Sequence, residues 1–350
     1  MKIGLFDPYV DTLGGGERYI FTIASSLQND HQVMLFWNDK SVLSEARKRL
    51  NINLDNVQLA GNIFAPSVGF LEKLRVSSGF DVIFYISDGS VPSLLAKKVI
   101  PIVQFPVQGV SMSTIFTQLK LYNTSTILCY SKFIQGFLKK QFKKEVTVLY
   151  PAVDKNPFSM PRENILLSVG RFTKGNNTKK QEFLIDFFKS HKAHFRGWKL
   201  VLVGSVLPED EDYVTDLKKR ASDNKNIEIS ENLPYISLLR YYAKAKMYLH
   251  AAGMGEDPTI HPEKVEHFGI SVVEAMSGGS VPVVYAAGGP AEIVQDGING
   301  FYFTSAAELF QKIKVLRDDA WLWQKLSDGA RVRADDFSSE KFTSQLKSLV

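Results

Sequence analysis

The stretch NILLSVGRF, residues 164–172, decides the fold. Ile165, Leu166, Leu167 and Val169 form a short apolar run that Gly170-Arg171 ends abruptly. A run this short, apolar on both faces of the pleat and followed by a helical pattern, predicts a strand covered on two sides, as in a parallel sheet. The helical pattern occupies 180–191, and the next apolar run is WKLVLVG, 198–204. The alternation continues through NIEI (226–229), KMYLHA (246–251), VPVVYA (281–286) and GFYF (300–303). Helical segments fall at 210–223, 235–245 and 271–278, with more from 305 onward.

The same rhythm precedes this half of the chain. KIGLF (2–6), QVMLFW (32–37), DVIFYI (81–86), VIPIVQF (99–105), STILCY (125–130) and VTVLY (146–150) read as strands, with helices at 17–28, 40–50 and 132–143. Between the halves lies YPAVDKNPFSMPREN, 150–164, with three prolines and no periodicity, which reads as a linker. The expectation is two doubly wound, Rossmann-like parallel-sheet domains: 1–150, a linker 151–163, and 164–350, its last helix a candidate to pack back on the first domain. Ligands in such sheets bind beyond the carboxyl ends of the strands, so a central cleft faced by both domains is the expected site.

Composition excludes several classes. Hydrophobic residues make up 45% of 350, enough for sizeable cores, and no run approaches the roughly 20 apolar residues of a membrane span. The start, MKIGLFDPYV, lacks the apolar core of a secretory signal, and one cysteine, Cys129, favours a reducing compartment. The expected location is cytoplasmic. A net charge of +5 is too mild for a nucleic-acid partner. The densest basic stretch, FLKKQFKKE (137–145), fits a packed helix with a solvated face, and also permits peripheral contact with a membrane surface.

EHFGISVVEAM, 266–276, sets Glu266 and Glu274 eight positions apart around Phe268-Gly269. Ser271 and Glu274 fit a capping box, which accounts for Glu274 without a ligand. It leaves Glu266, His267 and Gly269 unexplained. A glycine ahead of a helix lets backbone N–H groups approach an anion, which the helix dipole also favours. Arg171 closes a strand, and Lys179 and Lys180 enter a helix, where cations oppose the dipole unless an anion binds beside them. Gly288 and Gly289 make a second close-approach loop or a tight turn. Gly14, Gly15 and Gly16 follow the first strand as a flexible loop suited to phosphate or sugar, without a dinucleotide or P-loop fingerprint. Asp210-Glu211-Asp212 resembles a metal-binding DxD, but acids at a helix start are expected from the dipole alone.

GGGERY, VGRF with KKQEFLI, EHFGISVVEAMSGGSVPVV and GGPAEIVQDGINGF, in that order, resemble the family 4 retaining glycosyltransferases of GT-B fold. GGGER with EHFGI and VLYPAVD (148–154) is similar to the subgroup of lipid-linked oligosaccharide α-mannosyltransferases. The resemblance implies a hexose, of mannose or glucose type, moved from a nucleotide-diphosphate sugar to a glycan or lipid-linked acceptor, as in polysaccharide biosynthesis, with no metal and no cofactor. Arg171 and Lys179 would neutralise the donor diphosphate, with Lys180 in reserve. Glu274 would bind the ribose and Glu266 would sit beside the transferred sugar. The backbone at Phe268, Gly269 and Ile270, and the Gly14–Gly16 loop, would contact sugar and phosphate. Where many members carry a histidine after the fourth strand candidate, this chain has Gln104, which cannot act as acid or base. Gln104 and His250 are candidates for acceptor or sugar contact. A non-catalytic sugar-nucleotide or glycan-binding subunit, a sugar-nucleotide epimerase and a glycan phosphorylase on the same fold stay open as alternatives.

Overall fold

The computed structural model describes residues 1–106, 115–175 and 178–350. The chain divides into two compact units: Met1–Ala152 with Ser339–Val350, and Val153–Ser338.

The first unit carries β1 (Lys2–Phe6), β2 (Gln32–Phe36), β3 (Gln58–Ala60), β4 (Val82–Ile86), β5 (Lys98–Val103), β6 (Thr126–Cys129) and β7 (Glu145–Val148). They form one parallel sheet in the order β3-β2-β1-β4-β5-β6-β7. The order reverses between β1 and β4. Its helices are α1 (Gly15–Leu27), α2 (Ser41–Leu50), α3 (Phe70–Ser77), α4 (Ile115–Lys120) and α5 (Lys132–Gln141). β4 is buried at every position because helices cover both faces of a central strand.

The second unit repeats the plan with β8 (Glu163–Val169), β9 (Lys199–Gly204), β10 (Ile227–Glu231), β11 (Ala245–His250), β12 (Val281–Tyr285) and β13 (Phe301–Phe303). The parallel order is β10-β9-β8-β11-β12-β13, with the reversal between β8 and β11. Its helices are α6 (Gln181–Ser190), α7 (Glu211–Ala221), α8 (Tyr235–Lys244), α9 (Ile270–Ser277), α10 (Pro290–Ile293), α11 (Ala306–Asp318) and α12 (Ala320–Ala334). Its core joins Leu166, Leu200, Leu202, Met247 and Val283 of the sheet to Leu184, Phe188 and Leu217 of the helices.

The closing helix α13 (Ser339–Leu349) belongs to the first unit. Phe342 meets the ring of Tyr19 edge-on at 5.4 Å, and Thr343 shares a 2.9 Å hydrogen bond with Ser26. Both partners lie on α1, while Lys98 of β5 donates to the Leu349 carbonyl at 2.9 Å and Asp30 pairs with Lys347 at 2.6 Å.

Three local readings of the sequence are corrected. The Ser271 capping box does not form: α9 starts at Ile270 behind Gly269, at φ +107°, and Ser271 lies inside the first turn with its hydroxyl bonded to Tyr248 at 2.7 Å. The triple glycine is not a loop: Gly14 is the N-cap of α1, Gly15 and Gly16 are its first residues, and Glu17 accepts from the Gly14 N–H at 2.6 Å. Finally, Lys180 does not enter α6 but caps it in the left-handed region, φ +55°. The basic helix α5 buries Ile134 and Leu138 and leaves Lys132, Lys139 and Lys140 exposed. Among the described residues, no helix is long and apolar enough to cross a membrane.

Candidate active site

At the reversal point of the second sheet, the carboxyl ends of β8 and β11 are neighbours. Gly170-Arg171 follows β8, and His250 ends β11. Ligands in open α/β sheets collect at such a point, because the loops leaving the two strands diverge to opposite faces. Lys179, just before α6, and Glu266, just before α9, arrive at the same place.

Their side chains meet. Lys179 Nζ donates to Glu266 Oε2 at 2.6 Å, and His250 Nε2 lies 3.1 Å from the same oxygen. The side chains of Lys179, Glu266 and His250 are 16%, 14% and 2% exposed, so the attraction acts in a medium drier than bulk water. Burial by itself raises the Glu266 carboxyl, but the Lys179 ammonium and His250 overcome this and hold it well below the usual carboxylate range. His250 Nδ1 is buried without a hydrogen-bond partner among the described residues. The Lys179 stem lies where a side chain on residue 170 would have to go, which explains the glycine of VGRF.

Two glycines after β12 hold Glu266 from the other side. Gly289 donates its N–H to the Glu266 carbonyl at 2.8 Å. A side-chain carbon on Gly288 would run into that carbonyl, and one on Gly289 into the Phe268 backbone. The Gly-Gly-Pro loop therefore approaches protein, namely the backbone of 266–268. Phe268 is buried, its ring edge-on to Phe337 at 5.5 Å. Gly269 takes a backbone conformation that other residues rarely adopt. Among the described residues the N–H groups of Ile270 and Ser271 have no hydrogen-bond partner. These are the free donors of a helix start, suited to an anion.

Glu274, one turn into α9, is 7% exposed. Tyr235 donates to its Oε1 and Tyr242 to its Oε2, each at 3.0 Å. Burial, then the Glu274 charge, pushes the Tyr242 hydroxyl well above its ordinary range, so it stays a donor. Tyr235, Tyr242 and Tyr248 are site residues that sequence reading missed. The i, i+7 spacing of Tyr235 and Tyr242 along α8 is a signal, but it is shared by any buried helix face.

Not every candidate joins the cluster. Lys180 points instead to Glu256 at 3.0 Å and lines a separate pocket of about 420 Å³ with Phe183, Met254 and Tyr285. Arg171 is exposed, and among the described residues its guanidinium has no ion-pair partner. Glu211 and Asp212 occupy the first turn of α7, as the dipole favours. In the first unit, Gln104 donates its amide to the Gly16 carbonyl at 3.3 Å.

Residues 153–333 match the model of the family described as glycosyl transferases group 1. The chain belongs to this family. Among curated proteins the chain is similar to the GDP-Man:Man(3)GlcNAc(2)-PP-Dol alpha-1,2-mannosyltransferase of Dictyostelium discoideum, 23% identical over 99% of this chain and 83% of the relative. The protein of the same name from Caenorhabditis elegans is 24% identical over 84% and 78%. Among solved structures, Anabaena HepE in complex with UDP superposes with a TM-score of 0.75 at 20% identity, covering 100% and 99% of the two chains. Sucrose-phosphate synthase of Thermosynechococcus elongatus gives 0.73 at 16%, covering 100% and 98%. The fold is thus the GT-B fold of family glycosyltransferases, and the chain is a glycosyltransferase.

Proposed function

We propose that the chain is a retaining, metal-independent hexosyltransferase that moves a mannose- or glucose-type residue from a nucleotide-diphosphate sugar to a glycan or lipid-linked acceptor. The observation that carries the reading is the Lys179–Glu266–His250 cluster beside the free N–H groups at the start of α9. The leaving group of such a reaction is a nucleoside diphosphate, on which negative charge grows as the bond to the sugar C1 breaks. Lys179, the exposed Arg171 and the α9 N-terminus offer two full charges and aligned dipoles to that anion, so no metal is needed to neutralise it. Glu274 faces the two ribose hydroxyls, with Tyr235 and Tyr242 fixing its orientation. Glu266 then faces the transferred sugar, and Lys179 exchanges one oxyanion for another when the donor arrives.

Retention follows from attack on the face the diphosphate leaves. The acceptor oxygen bonds to C1 as the C1–O(phosphate) bond breaks, and the acceptor proton passes to a departing phosphate oxygen. The likeness to the GDP-Man alpha-1,2-mannosyltransferases supports a mannose donor and a lipid-linked acceptor; the basic face of α5 would then make the peripheral contact with the cytoplasmic face of a membrane.

The test is product analysis by proton NMR with GDP-mannose and UDP-glucose, in the presence of chelator, on wild type and Glu266→Ala. The reading expects release of nucleoside diphosphate with the α-configured sugar product first, and loss of release in the variant. Inverted product or abolition by chelator would remove the mechanism. Nucleotide binding with neither transfer nor hydrolysis would leave the binding-subunit reading.

A further inference from the structure

Two arginines meet at the amino-terminal edge of the second sheet, where Arg162 precedes β8 and Gly279 precedes β12. Arg162 donates to the carbonyls of Tyr242 at 3.2 Å and Ala245 at 3.0 Å, at the end of α8, and of Gly278 at 2.6 Å, just past α9. Helix carboxyl ends are negative poles, so they account for one cation here. A second cation stands beside it. Arg331 reaches over from α12, and a Cβ on Gly279 would run into the terminal nitrogens of both guanidinium groups. Arg331 is exposed, and among the described residues its guanidinium has no hydrogen-bond or ion-pair partner. The acids beside the two arginines in the chain do not answer this charge. Glu163 pairs with Lys244 at 3.2 Å, Asp328 accepts from Gln324 at 2.9 Å, and Asp335 makes no ion pair among the described residues. Burial first, and the Arg331 charge second, push the Arg162 guanidinium down to about 10.

We infer that Arg162 and Arg331 form a binding site for a phosphate dianion, separate from the donor cluster. Like charges this close repel, and an anion held between them replaces that repulsion with two attractions. A phosphate monoester carries nearly two negative charges at neutral pH, against one for a carboxylate, and its oxygens match the forked donors of arginine. Arg162 is fixed in place by its three carbonyls and keeps N–H groups to spare, while every N–H of Arg331 is free. The Lys179–Glu266 pair lies at the opposite edge of the sheet, roughly 20 Å away by the length of β8. The inference therefore stands independently of the glycosyltransferase mechanism. A soluble phosphorylated compound and an anionic lipid headgroup offer the same chemistry, and the test separates them.

The experiment titrates inorganic phosphate into the full chain at constant ionic strength and follows the thermal unfolding midpoint of wild type and Arg331→Ala. Arg331 is exposed, so its removal leaves the core intact, whereas Arg162 holds the ends of two helices and is kept. Exclusion of phosphate from the protein surface raises both midpoints alike, so the site is read in their difference. The wild type should show a saturable rise, and Arg331→Ala should need at least about tenfold more phosphate for it, the loss of one hydrogen bond to a charged group. The same difference should persist when both chains also carry Arg171→Ala, which keeps the donor edge out of the comparison. A second arm floats wild type and Arg331→Ala with phosphatidylcholine vesicles, with and without phosphatidic acid. Vesicle binding that needs both phosphatidic acid and Arg331 assigns a lipid headgroup, and a response to free phosphate alone assigns a soluble compound. Midpoints that rise equally with and without Arg331, together with vesicle binding indifferent to it, overturn the proposal.

Discussion

A double-mutant cycle on Lys179 and Glu266 probes the cluster quantitatively. Lys179→Met keeps the stem that lies over Gly170, and Glu266→Gln keeps the shape of the carboxylate. With both side chains about 15% exposed, the pair sits between a surface ion pair, worth under about 1 kcal/mol, and a buried one, whose breaking costs about 3–5 kcal/mol. Each single variant should lose about 2–3 kcal/mol, because each leaves a charge with little water around it. Lys179→Met should be the milder, since His250 still faces Glu266. The double variant leaves no orphaned charge in the pair, so it should recover about 2 kcal/mol of the summed loss. Urea unfolding at pH 7 followed by tryptophan fluorescence reports this, as Trp198, Trp321 and Trp323 of the four tryptophans lie in the second unit. Single losses that simply add, within about 0.5 kcal/mol, would refute the coupling. So would disappearance of the coupling in 1 M salt, the mark of a solvent-exposed pair.

Other outcomes follow from the same geometry. Asp7 has a folded-state carboxyl raised from 3.8 to about 7, so the stability it permits at acid pH is lost as pH rises between those values. Asp7→Asn should therefore be neutral near pH 4 and stabilising by up to about 4 kcal/mol at pH 8, read by chemical denaturation at both values. Gly289→Ala places a carbon against the Phe268 backbone; it should cost about 1–3 kcal/mol and weaken nucleotide binding, and an unchanged unfolding midpoint would contradict the clamp. Tyr242→Phe removes a donor from buried Glu274; a loss of about 1.5–3 kcal/mol is expected by calorimetry, with weaker nucleotide binding, and a neutral result would deny the contact.

Much of this architecture is legible without coordinates, for a physical reason. A strand covered on both faces is a short, continuous apolar run, and such runs as KIGLF, DVIFYI and KLVLVG mark β1, β4 and β9. The elements that escape are those with little buried surface. β3 is three residues without a fully buried position, and α3 exposes Phe70 at 61% and Leu71 at 77%, so neither shows the expected pattern. In the site, Glu266, Lys179 and His250 are legible because each lies at a strand end or ahead of a helix. Their convergence on one carboxylate oxygen is not, since it depends on which strands are neighbours. The Ser271 reading fails because Ser-x-x-Glu occurs within a first turn as readily as at a cap, and a left-handed Gly269 had already begun the helix.

The central claim is that the edge of the second sheet around Lys179, Glu266 and α9 holds a nucleoside diphosphate. Its most direct test is the thermal unfolding midpoint of wild type and Arg171→Ala with UDP, GDP, ADP and dTDP in turn. A ligand at about 100 times its dissociation constant adds roughly 2.7 kcal/mol to the folded state, a shift of several degrees. The account predicts that one nucleotide raises the midpoint of the wild type and that Arg171→Ala, which removes an exposed guanidinium without an ion-pair partner among the described residues, loses most of the shift. Four unshifted midpoints, or a shift indifferent to Arg171, would contradict it.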